Sequence, residues 1–170
     1  MGDHATSEGV TGVWLCTATT GVAHMLIWGI SVVAWAGLGT AVPGVVWAAG
    51  VALAGLVALG VVGWRWVRTR RLDLGSPAAG GTARGFRRSL AASWPLLAAA
   101  ACLGAGMVWL ATQLPIQGFD LAFFSIAAGL CVGGLCADRL DRRRGVVVVR
   151  RDAREGGRGL VVLARVSATS

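Results

Sequence analysis

Apolar residues gather into four long blocks along this chain, at 13–38, 44–64, 94–114 and 119–137. Each approaches or exceeds the roughly 20 residues that a helix needs to cross a hydrocarbon core about 30 Å thick. None contains Arg or Glu, and the one Asp, Asp120, stands at the start of the fourth block. The pattern predicts an all-α, polytopic membrane protein with four transmembrane helices.

The polar links between the blocks alternate in kind. Residues 39–44 (GTAVPG) and 115–119 (PIQGF) are short, and Pro43 and Pro115 stop the helices before them. Links this short predict antiparallel pairs, so the four helices read as two hairpins. Residues 65–93 instead hold seven arginines against one acid, and residues 138–170 hold nine against four.

Arginine in short loops marks the cytoplasmic side. Both basic segments follow an even number of spans, so one topology satisfies them. Residues 1–12 form a short cytoplasmic N-terminus, 65–93 a basic cytoplasmic loop and 138–170 a small basic cytoplasmic tail. Trp64, Trp66 and Trp94 fall at that interface and Trp35, Trp47 and Trp109 nearer the other, as an aromatic belt requires. Trp28 lies deeper, at a position expected between helices. The two hairpins echo one another weakly (VVAWAGLGTAVPG and MVWLATQLPIQG), which the shared needs of any helical hairpin suffice to explain.

Composition sharpens this picture. Of 170 residues, 55% are hydrophobic and only 14% charged, against about 25% charged in a soluble domain. Mean hydropathy is +0.67, so a bilayer suits the chain better than water. All 16 basic residues are arginine, and Lys, Asn and Tyr are absent. Those three have AT-rich codons, which points to a GC-rich genome and a bacterial cytoplasmic membrane. The opening MGDHATSEG lacks the positive region of a secretory signal. It fits the loose myristoylation pattern, but four spans make a lipid anchor superfluous.

Charge and small residues suggest contacts. Arg65, Arg68, Arg70, Arg71, Arg84, Arg87, Arg88, Arg139, Arg142, Arg143 and Arg144 flank the spans and are expected to meet anionic lipid headgroups, each gaining about 1 kcal/mol. Ser125, Gly129, Gly133 and Ala137 recur at four-residue steps in the fourth span, giving a line where helix backbones can approach closely. Gly50, Ala54 and Ala58 repeat this in the second span, and Ala98, Cys102 and Gly106 in the third. Asp120 reads as a helix N-cap, with an entrance-site acid as the sharper alternative. Ser93, before Trp94 and Pro95, reads as another helix start.

In the tail, two valine-rich runs, 146–149 and 160–166, flank a polar stretch containing Gly156–Gly157. This is the pattern of a β-hairpin. A lone two-stranded hairpin is marginal in water, so it is expected to dock on the helices, the lipid surface or a partner. The tail lacks aromatic residues for base stacking, which argues against nucleic acid.

Candidate chemistry concentrates on the first span. At 100° per residue, Thr17, Thr20, His24, Trp28, Ser31 and Trp35 fall within an arc of about 80°. Polar groups at membrane depth usually face a bundle interior or cavity, so this stripe is expected to point inward, towards a neighbouring helix. No metal-ligand cluster, hydrolase motif or dinucleotide fingerprint appears, and the four cysteines (Cys16, Cys102, Cys131, Cys136) form no CxxC. The expectation is a non-enzymatic protein with no cofactor and no metal, acting as an accessory or assembly subunit beside a membrane-protein partner or further copies of itself. The rival is a small oligomeric transporter or channel whose path is lined by the helix 1 stripe.

Overall fold

The computed structural model describes residues 12–37, 43–70, 86–113, 117–151 and 159–164. Five helices are present there: α1 (Val13–Gly37), α2 (Gly44–Arg70), α3 (Phe86–Ala92), α4 (Trp94–Gln113) and α5 (Gln117–Arg143). Two strands, β1 (Val146–Arg151) and β2 (Gly159–Ala164), follow. Helices α1, α2 and α5 are each long and apolar enough to cross a membrane. Counting α3 and α4 as one span bent by 69° makes a fourth.

The bend has a local cause. Pro95 has no N–H to return to the carbonyl of Ala91, and its ring crowds that carbonyl. The chain tightens instead: Ser93 N–H is shared between the carbonyls of Ser89 and Leu90, at 3.1 and 3.0 Å. Helix α4 then starts afresh, with Leu97 N–H donating to Ser93 C=O at 3.1 Å. Part of the basic loop expected over 65–93 is therefore helix. Arg65 to Arg70 extend α2, and Phe86–Ala92 form α3.

The helices pack in the order α4, α1, α5, α2, as a row rather than as two hairpins. Helix α5 packs extensively on α1 and on α2, whereas α1 and α2 make no extensive contact with each other among the described residues. Glycine on α5 explains this order. A methyl group at Gly129 would lie 2.6 Å from the Ala54 carbonyl oxygen, and one at Gly133 would lie 2.8 Å from Val61 Cβ. About 100° to 140° around α5 from these two, a methyl at Gly134 would lie 2.7 Å from the Trp14 carbonyl oxygen. Gly21 of α1 approaches the α5 backbone as closely. Helix α5 therefore has two faces that a neighbour's backbone can reach.

These contacts bring two small-residue lines together. Gly50, Ala54 and Ala58 of α2 face Ser125, Gly129 and Gly133 of α5, while Ala137 is buried against Trp14 and Val148. The line expected on the third span does not form. Cys102 is exposed and Gly106 has open space around it. Instead Ala100 is buried, and Gly104 meets the carbonyls of Leu26 and Ile27 on α1. A four-residue spacing of small residues marks possible contact faces, and the partner's position selects one of them.

The tail continues from α5 through a tight cap. Gly145 adopts φ +70°, a left-handed conformation that glycine takes without strain, and its N–H donates to Arg142 C=O at 2.9 Å. Strands β1 and β2 pair antiparallel with Val148 opposite Val162. Val148 is buried in a cluster with Trp14 and Ala137, joined by Val13 and Val61. The hairpin thus rests on the arginine-bearing end of the helices.

Candidate functional site

The polar stripe of α1 divides in the structure. Close glycine contacts turn one side of α1 to α5 through Gly21 and Gly29 and another to α4 around Leu26, Ile27 and Ile30. The stripe lies mostly on neither. His24 and Thr20 are exposed, and His24 Nδ1 lies 2.9 Å from the Thr20 carbonyl oxygen of its own helix. The expectation that the whole stripe points at a neighbouring helix is thereby corrected. Shared periodicity groups these residues, but the two packing faces of α1 are taken by Gly21 and Gly29 on one side and by Leu26, Ile27 and Ile30 on the other.

Two stripe residues do reach α5. Trp28 stacks on Phe123, with ring centroids 4.7 Å apart and planes inclined by 18°. Fully buried Ser31 donates from Oγ to Asp120 Oδ2 at 2.5 Å. Asp120 is therefore an interhelical acceptor in the first turn of α5, which differs from the expected N-cap. Among the described residues its buried Oδ1 has no hydrogen-bond partner. The side chain of Trp35 lies outside the described residues.

The remaining stripe positions, Thr17 and Thr20, line a groove of about 620 Å³ between α1, α3 and the start of α4. Thr19, Ser89 and Ser93 add hydroxyls, and Leu96 and Leu130 contribute apolar wall. Thr19 Oγ1 and Ser89 Oγ approach to 3.5 Å, fastening α3 to α1. A second groove, of about 470 Å³, opens on the opposite flank of α1. It is almost wholly apolar, with Met25, Ile30, Trp47 and Phe124 in its walls.

Beside the hydroxyl-lined groove, three helices converge on one carboxylate. Asp141 Oδ2 accepts from Trp14 Nε1 at 2.6 Å, and Oδ1 accepts from Arg65 Nε at 2.7 Å. Both Arg65 and Asp141 are nearly inaccessible, at 3% and 1% exposure. Arg65, expected at anionic headgroups, is instead half of a buried ion pair. The reason is positional: Gly129 and Gly133 pull α2 against α5, so Arg65 and Asp141 are brought side by side. Leaving either charge alone there would be far worse than pairing them.

The other arginines divide into exposed and engaged groups. Arg87, Arg88, Arg139, Arg143 and Arg144 are exposed. Arg68 lies over the Trp64 ring at 4.6 Å, and Arg142 Nε donates to Asp138 Oδ2 at 2.7 Å. Arg71 and Arg84 lie outside the described residues, as does the side chain of Arg70. Sequence reasoning missed the Trp14–Asp141–Arg65 tie. The available signal was an acid, Asp141, embedded in an arginine run at the end of an apolar span.

Among the described residues no group of three or more His, Cys, Asp or Glu is arranged to hold a metal ion. Comparison with family models, with curated proteins and with solved structures finds no match.

Proposed function

We propose that this chain is a non-enzymatic accessory or assembly subunit of a bacterial cytoplasmic membrane, with both termini in the cytoplasm. The observation that carries this reading is the row of helices, whose outer member α2 packs extensively on α5 alone among the described residues. Val45, Val51, Leu56 and Leu59 of α2 are about 70% exposed, so lipid or a partner helix must cover them. In the same reading, exposed arginines at one end contact anionic headgroups, and the docked hairpin offers a second surface beside them.

The transporter reading has less support, because the polar stripe divides between a side groove and α5. Crosslinking and affinity purification from native membranes tests the proposal. A specific membrane protein should copurify and be lost when residues 145–170 are deleted. A pH-dependent flux in proteoliposomes that His24→Ala abolishes would favour the transporter instead. Reporter fusions at Ser76 and Ser170 should both read as cytoplasmic, and an external reading at either overturns the orientation.

A further inference from the structure

The groove between α1, α3 and α4 brings three kinds of surface together. Thr17, Thr19 and Thr20 each donate the hydroxyl proton to a carbonyl four residues back, at 3.1, 2.8 and 3.0 Å. What Thr17 and Thr20 offer the groove is therefore acceptor lone pairs. Half-buried Ser93 adds a hydroxyl at the elbow. Arg88 stands one helical turn before the groove-lining Ala92, on the same face of α3, with Arg87 adjacent. Both arginines are exposed and unburdened by any nearby acid on α3. Leu96 and Leu130 make the apolar wall.

A basic rim, acceptor oxygens and an apolar wall match a molecule whose anion joins a headgroup rich in hydrogen-bond donors to a hydrocarbon part. We infer that the groove holds one anionic glycerophospholipid with a hydroxyl-bearing headgroup. Its phosphate meets Arg87 and Arg88, where guanidinium groups form strong charge-assisted hydrogen bonds. Its headgroup hydroxyls donate to Thr17 and Thr20, and its glycerol and acyl portion lies along Leu96 and Leu130. A choline headgroup offers these threonines no donor, and phosphatidic acid supplies the charge without the headgroup hydroxyls. The 69° bend at Ser93 carries the arginines of α3 away from the α4 axis. The assignment rests on the reading that these helices span a bilayer.

Native mass spectrometry of the delipidated full chain, titrated with single lipids, tests it. Phosphatidylglycerol should bind as one retained copy, at least tenfold tighter than phosphatidylcholine and several-fold tighter than phosphatidic acid. Arg87→Gln with Arg88→Gln should weaken phosphatidylglycerol at least tenfold. Thr17→Val with Thr20→Val should erase the preference over phosphatidic acid while leaving phosphatidic acid itself within twofold. Arg139→Gln with Arg143→Gln, on α5, should also stay within twofold. Equal losses from the two arginine pairs would mean diffuse attraction and overturn the site. Displacement by equimolar soluble glycerol phosphate would assign the groove to a soluble phosphoester and overturn the lipid. Thermal unfolding of every variant, followed by tryptophan fluorescence, confirms that each one tested is folded. A chain that fractionates away from membranes would overturn the membrane reading and this one together. A membrane-inserted chain without lipid preference would overturn this one alone.

Discussion

Helix α5 carries two fully buried carboxylates, one near each end, and they are treated in opposite ways. Asp141 has both oxygens engaged, one by an indole N–H from α1 and one by a guanidinium from α2. Among the described residues Asp120 has one bond, from a serine hydroxyl of α1, and its second oxygen has no partner. The first joins three helices through a charge pair, the second joins two through a hydroxyl. A buried group contributes according to what would be left unpaired in its absence. At Asp141 that is a buried cation. At Asp120 it is only a serine.

The comparison can be broken most forcefully at Asp141. Asp141→Ala should destabilise the protein by about 3–5 kcal/mol, because Arg65 is left buried and unpaired. Thermal unfolding in detergent measures this. The double replacement Arg65→Met with Asp141→Leu should recover most of that loss, since an apolar pair of similar volume removes the uncompensated charge. A double variant no more stable than Asp141→Ala would show that the charges themselves are needed.

Trp14→Phe should be intermediate. It keeps the ring against Ala137 and Val148 but removes the donor to Asp141, for a loss of about 1.5–3 kcal/mol. Near-ultraviolet circular dichroism would separate lost packing from the lost hydrogen bond. The smallest effect is expected at the other end. Asp120→Asn keeps an oxygen for Ser31 and exchanges one unpartnered atom for another, so stability should change by about 1 kcal/mol or less. A loss as large as that of Asp141→Ala would erase the distinction between the two sites.

The same contrast explains what was legible in the sequence. Apolar block lengths marked the spans, because a bilayer imposes its thickness on any segment that crosses it. The line from Ser125 to Gly133 and its counterpart from Gly50 to Ala58 were legible because close backbone approach demands small side chains at helical spacing. The row order was not, since short links bring consecutive helices near one another without making them the best-fitting pair. Gly134, Gly21 and Gly104 were overlooked because they belong to no long repeat, yet each marks a close contact. Arg65 looked like its neighbours in an arginine-rich stretch; only the approach of α2 to α5 singles it out. The α1 stripe illustrates the converse limit. Its members do share an arc, but an arc has no partner until neighbouring helices have taken their places.

The position of α5 in the row has a consequence for how the chain is made. Ribosomal synthesis delivers α1 and α2 first, and domains assemble as their parts emerge. Yet α1 and α2 have little to hold each other: α1 can pack on α4, but among the described residues α2 has no extensive neighbour until α5 emerges. Until α5 emerges, Arg65 has no Asp141, Trp14 has no acceptor there, and the narrow surfaces of Gly21 and Gly50 stand against lipid. Arrival of α5 is therefore a locking step for these helices. Until then α2 stands apart from α1 and α4, and a chain truncated before residue 117 would leave a membrane chaperone or protease an Arg65 without its Asp141 to recognise.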